Sequence, residues 1–285
     1  MKSLLIPCLT GLVLACAQSP VHAQEFRERV TKEFTAPNGG TLAIYNINGF
    51  IKVEGYSGDK VVLSVDKTIT AKDKDVLETG KKEFKVDFEQ RGDSIIAYIA
   101  EPFDSRPNRS WKNQNHDRRI EYDFTLNFTV KIPYKMNLHA STVNRGNIDV
   151  KDVSGSLKVT NVNGAITLVN AKGATDAHTI NGDVVINYLV SPPDKSSYYT
   201  LNGAIRVSYP ANLSADLQFK SFQGEFYTDF PNAEVLPTQV TKNQERRGEA
   251  TVYKLTKNTA IRIGGGGKTF RFETFNGNIY IKKQS

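Results

Sequence analysis

Residues 143–186 read VNRGNIDVKDVSGSLKVTNVNGAITLVNAKGATDAHTINGDVVI, and glycine falls at every ninth position: Gly146, Gly155, Gly164, Gly173 and Gly182. The same frame returns at Gly49, Gly203, Gly224 and Gly277. After most of these glycines the second and fourth residues are apolar, as in Ile51 and Val53, Ile148 and Val150, Leu157 and Val159, Ile166 and Leu168, Val184 and Ile186, Ile205 and Val207, and Ile279 and Ile281. The residue between is mostly polar: Lys52, Asp149, Lys158, Thr167, Asp176, Arg206. Such alternation marks a short strand with one buried and one wet face, so each unit is a turn followed by a strand. The second residue before the glycine is usually apolar too, as at Ile47, Val153, Val162, Ile180, Leu201, Phe222 and Phe275.

Asparagine often precedes the glycine, at Asn48, Asn163, Asn181, Asn202 and Asn276. Asn-Gly supplies positive φ at low steric cost, which predicts left-handed corners at Gly164 and Gly182. Asn-Gly is also a hairpin signal, and that reading would give an antiparallel meander. The spacing favours the other arrangement. Asn-Gly pairs stand 18 and then 21 residues apart, with Ser-Gly and Lys-Gly at the half-steps 155 and 173. Two alternating corners fit a coil that returns above itself, with strands about 4.8 Å apart. In that register Ile166, Val184 and Ile205 stack in the core, Lys158 lies beside Asp176, and Asp149, Thr167, Val185, Arg206 and Tyr227 form an outer row.

The first 23 residues have a different character. Lys2 is followed by an apolar stretch from Leu4 to Ala17 and by Val21-His22-Ala23, a small-residue cleavage site of the secretory type. Val13-Leu14-Ala15-Cys16 partly resembles a lipoprotein processing site, but Leu14 departs from the small residue usual there, so cleavage after Ala23 is favoured over a lipid anchor on Cys16. Export to the periplasm or cell surface is expected. Both cysteines, Cys8 and Cys16, lie in the removed segment, which leaves the mature chain without disulfides. Removal takes Lys2 from the 37 basic residues and nothing from the 30 acidic ones, for a net charge of +6. That excess suits anionic polysaccharide or lipid surfaces and falls short of a nucleic-acid stripe. No later segment is long and apolar enough to cross a bilayer.

Residues 24–285 read as one domain: an N-terminal cap and first strands at 24–137, regular coils at 138–228, and an insertion with a C-terminal cap at 229–285. In the front part Ala71–Lys82 is the one plausible helix, weakened by Gly80, and Glu83–Glu89, Ser94–Ala100 and Ile120–Ile132 read as strands, the last stopped by Pro133.

The front copy Asn48-Gly49-Phe50-Ile51-Lys52-Val53, the alternating strand closing on Ile132-Pro133, and the run at 143–186 together resemble the "putative adhesin" family of exported bacterial β-solenoid proteins, a domain of unknown function. The resemblance covers nearly all of the mature chain. It implies an all-β fold, a single right-handed parallel β-helix with irregular β-rich caps, and no known catalytic or binding residues.

Sharper motifs fail on their spacing. Gly264 to Gly267 with Lys268-Thr269 imitates a phosphate loop, but Arg262 stands where its first glycine belongs and a strand pattern follows. Arg91-Gly92-Asp93 sits where a hairpin turn is expected. The glycine period resembles calcium-binding nonapeptides, yet Asp149, Asp176 and Asp183 do not recur in one frame, and His116, His139 and His178 lack ligand spacing. No metal, cofactor or catalytic residue is therefore assigned. The polar loop at 101–119, EPFDSRPNRSWKNQNHDRR, has binding character: its indole, Trp111, stands among Arg106, Arg109, Arg118 and Arg119. An exposed indole stacks on a sugar face, and guanidinium groups pair with carboxylates. A second aromatic group, Tyr188, Tyr198 and Tyr199, lies in the longer coil around Pro192-Pro193.

The sequence points to a non-enzymatic, adhesin-like binding or scaffold module of the cell envelope, with envelope polysaccharide or another envelope protein as partner. Two other classes stay open: a polysaccharide-active β-helix enzyme, disfavoured because neither stacked pair joins two carboxylates, and a periplasmic partner of an envelope-sensing system. Oligomeric state is not legible.

Overall fold

The computed structural model describes residues 23–107, 120–231, 233–247 and 250–284. The leader expected at 1–23 therefore lies almost wholly outside the described residues. The described chain is all-β, with one helix and two large, mostly parallel sheets of ten and eleven strands.

From residue 137 the chain alternates between the sheets. Strands β8 (Asn137–Ser141), β10 (Leu157–Thr160), β12 (Thr175–Asn181) and β14 (Ser197–Asn202) belong to one, here sheet B. Strands β9 (Ile148–Lys151), β11 (Ile166–Ala171), β13 (Val184–Tyr188) and β15 (Ile205–Tyr209) belong to the other, sheet A. Each strand pairs in parallel with the strand two ahead, so one pass through both sheets makes a level. The expected register holds: Ile148, Ile166, Val184 and Ile205 stand in line, and all are fully buried. Asp149, Thr167, Val185 and Arg206 form the outer row, and Lys158 is opposite Asp176.

One step of that row differs from the sequence reading. Tyr280, not Tyr227, follows Arg206. The last strands, β20 (Lys268–Asn276) and β21 (Ile279–Lys283), slot between β14 and β15 and the earlier pair β16 (Ala215–Gln223) and β17 (Phe226–Thr228). The hairpin β18 (Ala233–Arg247) and β19 (Ala250–Ile263) explains the displacement. Ile263 to Thr259 of β19 pair antiparallel with Ala215 to Phe219, occupying the far side of β16 and leaving its near side for β20. Phe272 is thereby sandwiched between Tyr198 and Phe219 in the core.

The corners overturn the predicted role of glycine. Positive φ occurs at Gly49 but at neither Gly164 nor Gly182. Left-handed residues near the corners are instead Arg145, Asp152, Asn170 and Lys195, and Asn170 donates to Asp152 at 2.7 Å. What Gly164 and Gly182 provide is room: a Cβ there would lie within 3.0 Å of the carbonyl oxygen of Gly146 or Gly164 in the level before. That carbonyl is also an acceptor. Thr142, Asn161, Thr179, Thr200 and Thr274, all buried, donate to the oxygens of Gly49, Gly146, Gly164, Gly182 and Gly203 at 2.8–3.2 Å. Each buried side chain thus closes on the preceding level, satisfying a carbonyl that would otherwise be costly to bury. The asparagines before the glycines have another task. Asn163, Asn181, Asn202 and Asn276 each donate an amide to the carbonyl of the one before, beginning at Asn144, at 2.7–2.8 Å. Beside this ladder the apolar residues two before the glycines are partly exposed, ending in the stacked rings of Phe275 and Phe222, the latter 72 % exposed.

At the front, β2 (Thr41–Tyr45) and β3 (Ile51–Tyr56) continue the parallel stacks onto β8 and β9. One further parallel strand in each sheet, β7 (Asp123–Pro133) beside β3 and β6 (Ser94–Glu101) beside β2, is followed by antiparallel strands that finish the sheets. Sheet A ends through β7 and β4 (Lys60–Ala71) on the charged edge strand β1 (Gln24–Thr35), and sheet B through β6 on β5 (Lys85–Arg91). Arg91-Gly92-Asp93 forms the expected turn between β5 and β6. Helix α1 (Lys74–Glu83) starts where the Asp73 carboxylate accepts from the Val76 N–H. Gly80 is tolerated in it because Tyr122 lies where a Cβ would be.

Three substitutions test this account in thermal melts. Gly182→Ala should cost about 1 to 3 kcal/mol through overpacking against Gly164, and Thr179→Val about 1 kcal/mol through the lost bond to the Gly164 carbonyl. Val184→Asp, which buries an unpaired charge, should cost more than either. An unchanged melt for Gly182→Ala would refute the close-approach explanation.

Candidate functional site

The 101–119 loop is described only at its start. Trp111, Arg109, Arg118 and Arg119 lie outside the described residues. Arg106 is in place and occupied. Its guanidinium bonds Asp104 at 2.6 Å and Glu89 at 2.7 Å, lies 3.8 Å over the Tyr98 ring, and is only 14 % exposed. The bond to Asp104 is the main reason its pKa rises further. Tyr98, half-enclosed in this cluster, also donates to Glu89. Arg106 thus anchors the base of the loop with its fork already filled.

A different set of residues forms a groove of about 460 Å³ on the outer face of sheet B. It runs across the beginnings of β2, β8, β10 and β12, lined by Thr41, His139, Lys158, Asp176 and Lys195 among others. Period-two alternation puts these side chains there, since their neighbours Leu138, Leu157, Thr175 and Ala177 point into the core. Parallel register then sets His139, Lys158, Asp176 and Ser197 side by side on successive strands.

At one end His139 is backed by an aromatic ring. The Tyr45 ring meets His139 edge-on at 5.1 Å, with its hydroxyl 3.3 Å from Nδ1. Burial first, and then the charge of Lys158, hold the His139 imidazole below its ordinary pKa, with Asp176 opposing them. The other end is closed by Lys195, in the corner between β13 and β14 that lengthens the repeat from 18 to 21 residues. Lys195 sits in the left-handed region at φ 70°. Asp194 fixes this corner by accepting from the Lys195 N–H at 2.9 Å and the Thr269 N–H at 2.7 Å. Those backbone bonds hold its carboxyl below the usual range. Lys268 adds a bond to the Pro192 carbonyl at 2.9 Å. The strained lysine is held by its surroundings, a pattern that clusters at ligand sites.

Of the aromatic group noted in this corner, Tyr188 and Tyr198 are core residues. Their hydroxyls meet at 2.9 Å and Tyr209 donates to Tyr198 at 3.1 Å; burial pushes Tyr188 up to about 12. Tyr199 is outside, its ring 4.2 Å from His178. The groove residues were legible as outer strand positions, and the irregular 21-residue step was their one sequence signal. The groove presents two ammonium groups, a carboxylate and an imidazole on the sheet surface. Among the described residues no three His, Cys, Asp or Glu side chains come together as a metal site, and no helix is long and apolar enough to cross a membrane.

No family model matches the chain, nor does any curated protein. Solved structures do resemble it along most of its length. A putative cell adhesion protein from Clostridium sporogenes aligns over 92% of this chain and 100% of its own, at 12% identity and a TM-score of 0.40. A putative adhesin from Bacteroides fragilis aligns over 90% and 97%, at 10% identity and 0.35. A putative lipid binding protein from Parabacteroides distasonis aligns over the same shares, at 11% identity and 0.32. The fold rests on the strand pairing itself.

Two measurements probe these contacts. Arg106→Ala should destabilise by about 1 to 2 kcal/mol, through loss of the cation that Glu89 and Asp104 share, Glu89 keeping its bonds to Arg91 and Tyr98; a denaturant melt reads it. His139 makes stability pH-dependent. The unfolded imidazole protonates near pH 6.5 and the folded one lower, so between those values the unfolded state holds more protons. Stability should fall as pH drops through that window, and His139→Gln should flatten the decline in melts between about pH 7.5 and 5.

Proposed function

We propose that the mature chain is an exported, non-enzymatic, adhesin-like binding or scaffold module of the bacterial cell envelope, and that its groove on sheet B takes envelope polysaccharide. In this reading the two sheets are faces of one right-handed parallel β-helix, residues 1–23 are a cleaved signal peptide, and residues 24–285 are a single domain. The observation that carries the reading is the groove itself. It combines hydrogen-bonding side chains in strand register with a rim fixed by Asp194, at the one corner where the 18-residue coil lengthens. A pre-formed surface of this kind binds without having to order itself first.

The test is a glycan array with residues 24–285, run beside Asp176→Ala and Trp111→Ala. Binding to polysaccharide fragments that Asp176→Ala abolishes and Trp111→Ala leaves intact is expected. Loss with Trp111→Ala alone would move the site to the 101–119 loop, and no glycan bound at all would refute the function. Fractionation of the tagged full chain tests export, with a processed product beginning at Gln24 as the expected result.

A further inference from the structure

We infer that the groove selects an anionic sugar chain, with Lys158 and Lys195 holding its acidic groups and Asp176 accepting its hydroxyls; this rests on the binding function proposed above. The argument begins with cations on the outer strand faces. Some cations on the outside of these sheets pair with a nearby acid, as Lys220 with Glu273, its register neighbour, Arg29 with Asp66, Arg262 with Asp216 and Arg206 with Asp183; others stand beside an acid without an ion pair, as Lys52 beside Asp149 and Lys131 beside Glu54. Lys158 has the same opportunity, since Asp176 is its register neighbour. It is not taken. The Asp176 carboxylate instead accepts from the Ser197 hydroxyl at 2.7 Å, and among the described residues Lys158 has no carboxylate within ion-pair distance. Lys195 has none either, because the neighbouring Asp194 is directed at backbone N–H groups.

Two ammonium groups with no ion-pair partner among the described residues therefore line the groove, Lys158 between His139 and Asp176 and Lys195 at the end where the corner is held in left-handed backbone. An ammonium is a strongly hydrated point charge that attracts carboxylate, sulfate or phosphate alike. The shared requirement is negative charge on a molecule long enough to reach both lysines. Strand β10 carries Lys158, and Lys195 directly precedes β14. The strand that carries Lys158 and the one that Lys195 precedes are two strand spacings apart, about 10 Å, a separation suited to a ligand of more than one sugar unit. Asp176 argues against a dense polyanion. Lying between the lysines with its carboxylate turned to Ser197, it retains lone pairs for hydroxyl donors and repels acids placed beside it. A sugar chain with spaced acidic groups and free hydroxyls satisfies all three residues.

The experiment measures binding of residues 24–285 to polygalacturonate oligomers, to the same oligomers after carboxyl reduction, and to dextran sulfate. Variants are Lys158→Gln, Lys195→Gln, the double variant, and Lys32→Gln on the exposed strand β1 as a charge control; thermal melts confirm that each remains folded. The acidic oligomer should bind at least tenfold more tightly than its reduced form, the double variant should lose that preference, and Lys32→Gln should keep it. Dextran sulfate, densely charged and poor in free hydroxyls, should bind less tightly than the acidic oligomer, and equal or tighter binding would overturn the role given to Asp176. Equal affinity for the acidic and reduced oligomers would overturn the inference while leaving a glycan-binding module in place. Equal losses in the double variant and Lys32→Gln would reduce the effect to net charge and also overturn it. Failure to bind any of the three, together with an empty glycan array, would overturn the module itself.

Discussion

Backbone contact at the corners governs the architecture. Strands about 4.8 Å apart leave no room for a side chain where one glycine passes over the next, and the carbonyl of each glycine, sealed inside, still requires a donor. Both demands are met within three residues. Gly164, Gly182 and Gly203 remove the obstructing Cβ, and Thr179 and Thr200, placed three positions ahead of their own glycines, supply the donors. Strand register follows. Once Thr179 is bonded to Gly164, Val184 has one place to go, over Ile166. A slip by one residue would turn the apolar face outward and leave those carbonyls unbonded at once.

Because that constraint is local and periodic, the sequence displayed its consequences well. The nine-residue step gave the parallel register of Ile166, Val184 and Ile205 and the position of Lys158 beside Asp176, since both depend on spacing alone. It misled about cause. Asn-Gly elsewhere makes a left-handed turn, but here Asn163 and Asn181 are members of an amide ladder and the left-handed residues are Asp152 and Asn170. The order of the last levels was illegible for a related reason. Gly277 and Gly224 sit in equivalent repeats, so period cannot say which stands next to Gly203. Partner chemistry decides: Phe272 fits between Tyr198 and Phe219, and Asn276 extends the ladder from Asn202.

The candidate site was harder to read because it depends on bonds absent from any local pattern. His139, Lys158 and Asp176 look like an ordinary wet face until Ser197 draws the carboxylate aside. Lys195 looks like a surface lysine until Asp194 fixes its corner against Thr269. The 21-residue step was visible, and its cause, a corner pinned by a strand more than 70 residues later, was not.

That later strand gives the molecule a particular assembly order. Strands β20 and β21 belong to the interior of both sheets although they follow β16 and β17 in the chain. The levels through β15 can stack as they appear, each on a finished neighbour. Strands β16 and β17 then find no permanent place, because the slot beside β14 and β15 belongs to a segment not yet delivered. A chain cut short before residue 268 would expose that vacant seam and lack the contacts that fix Lys195.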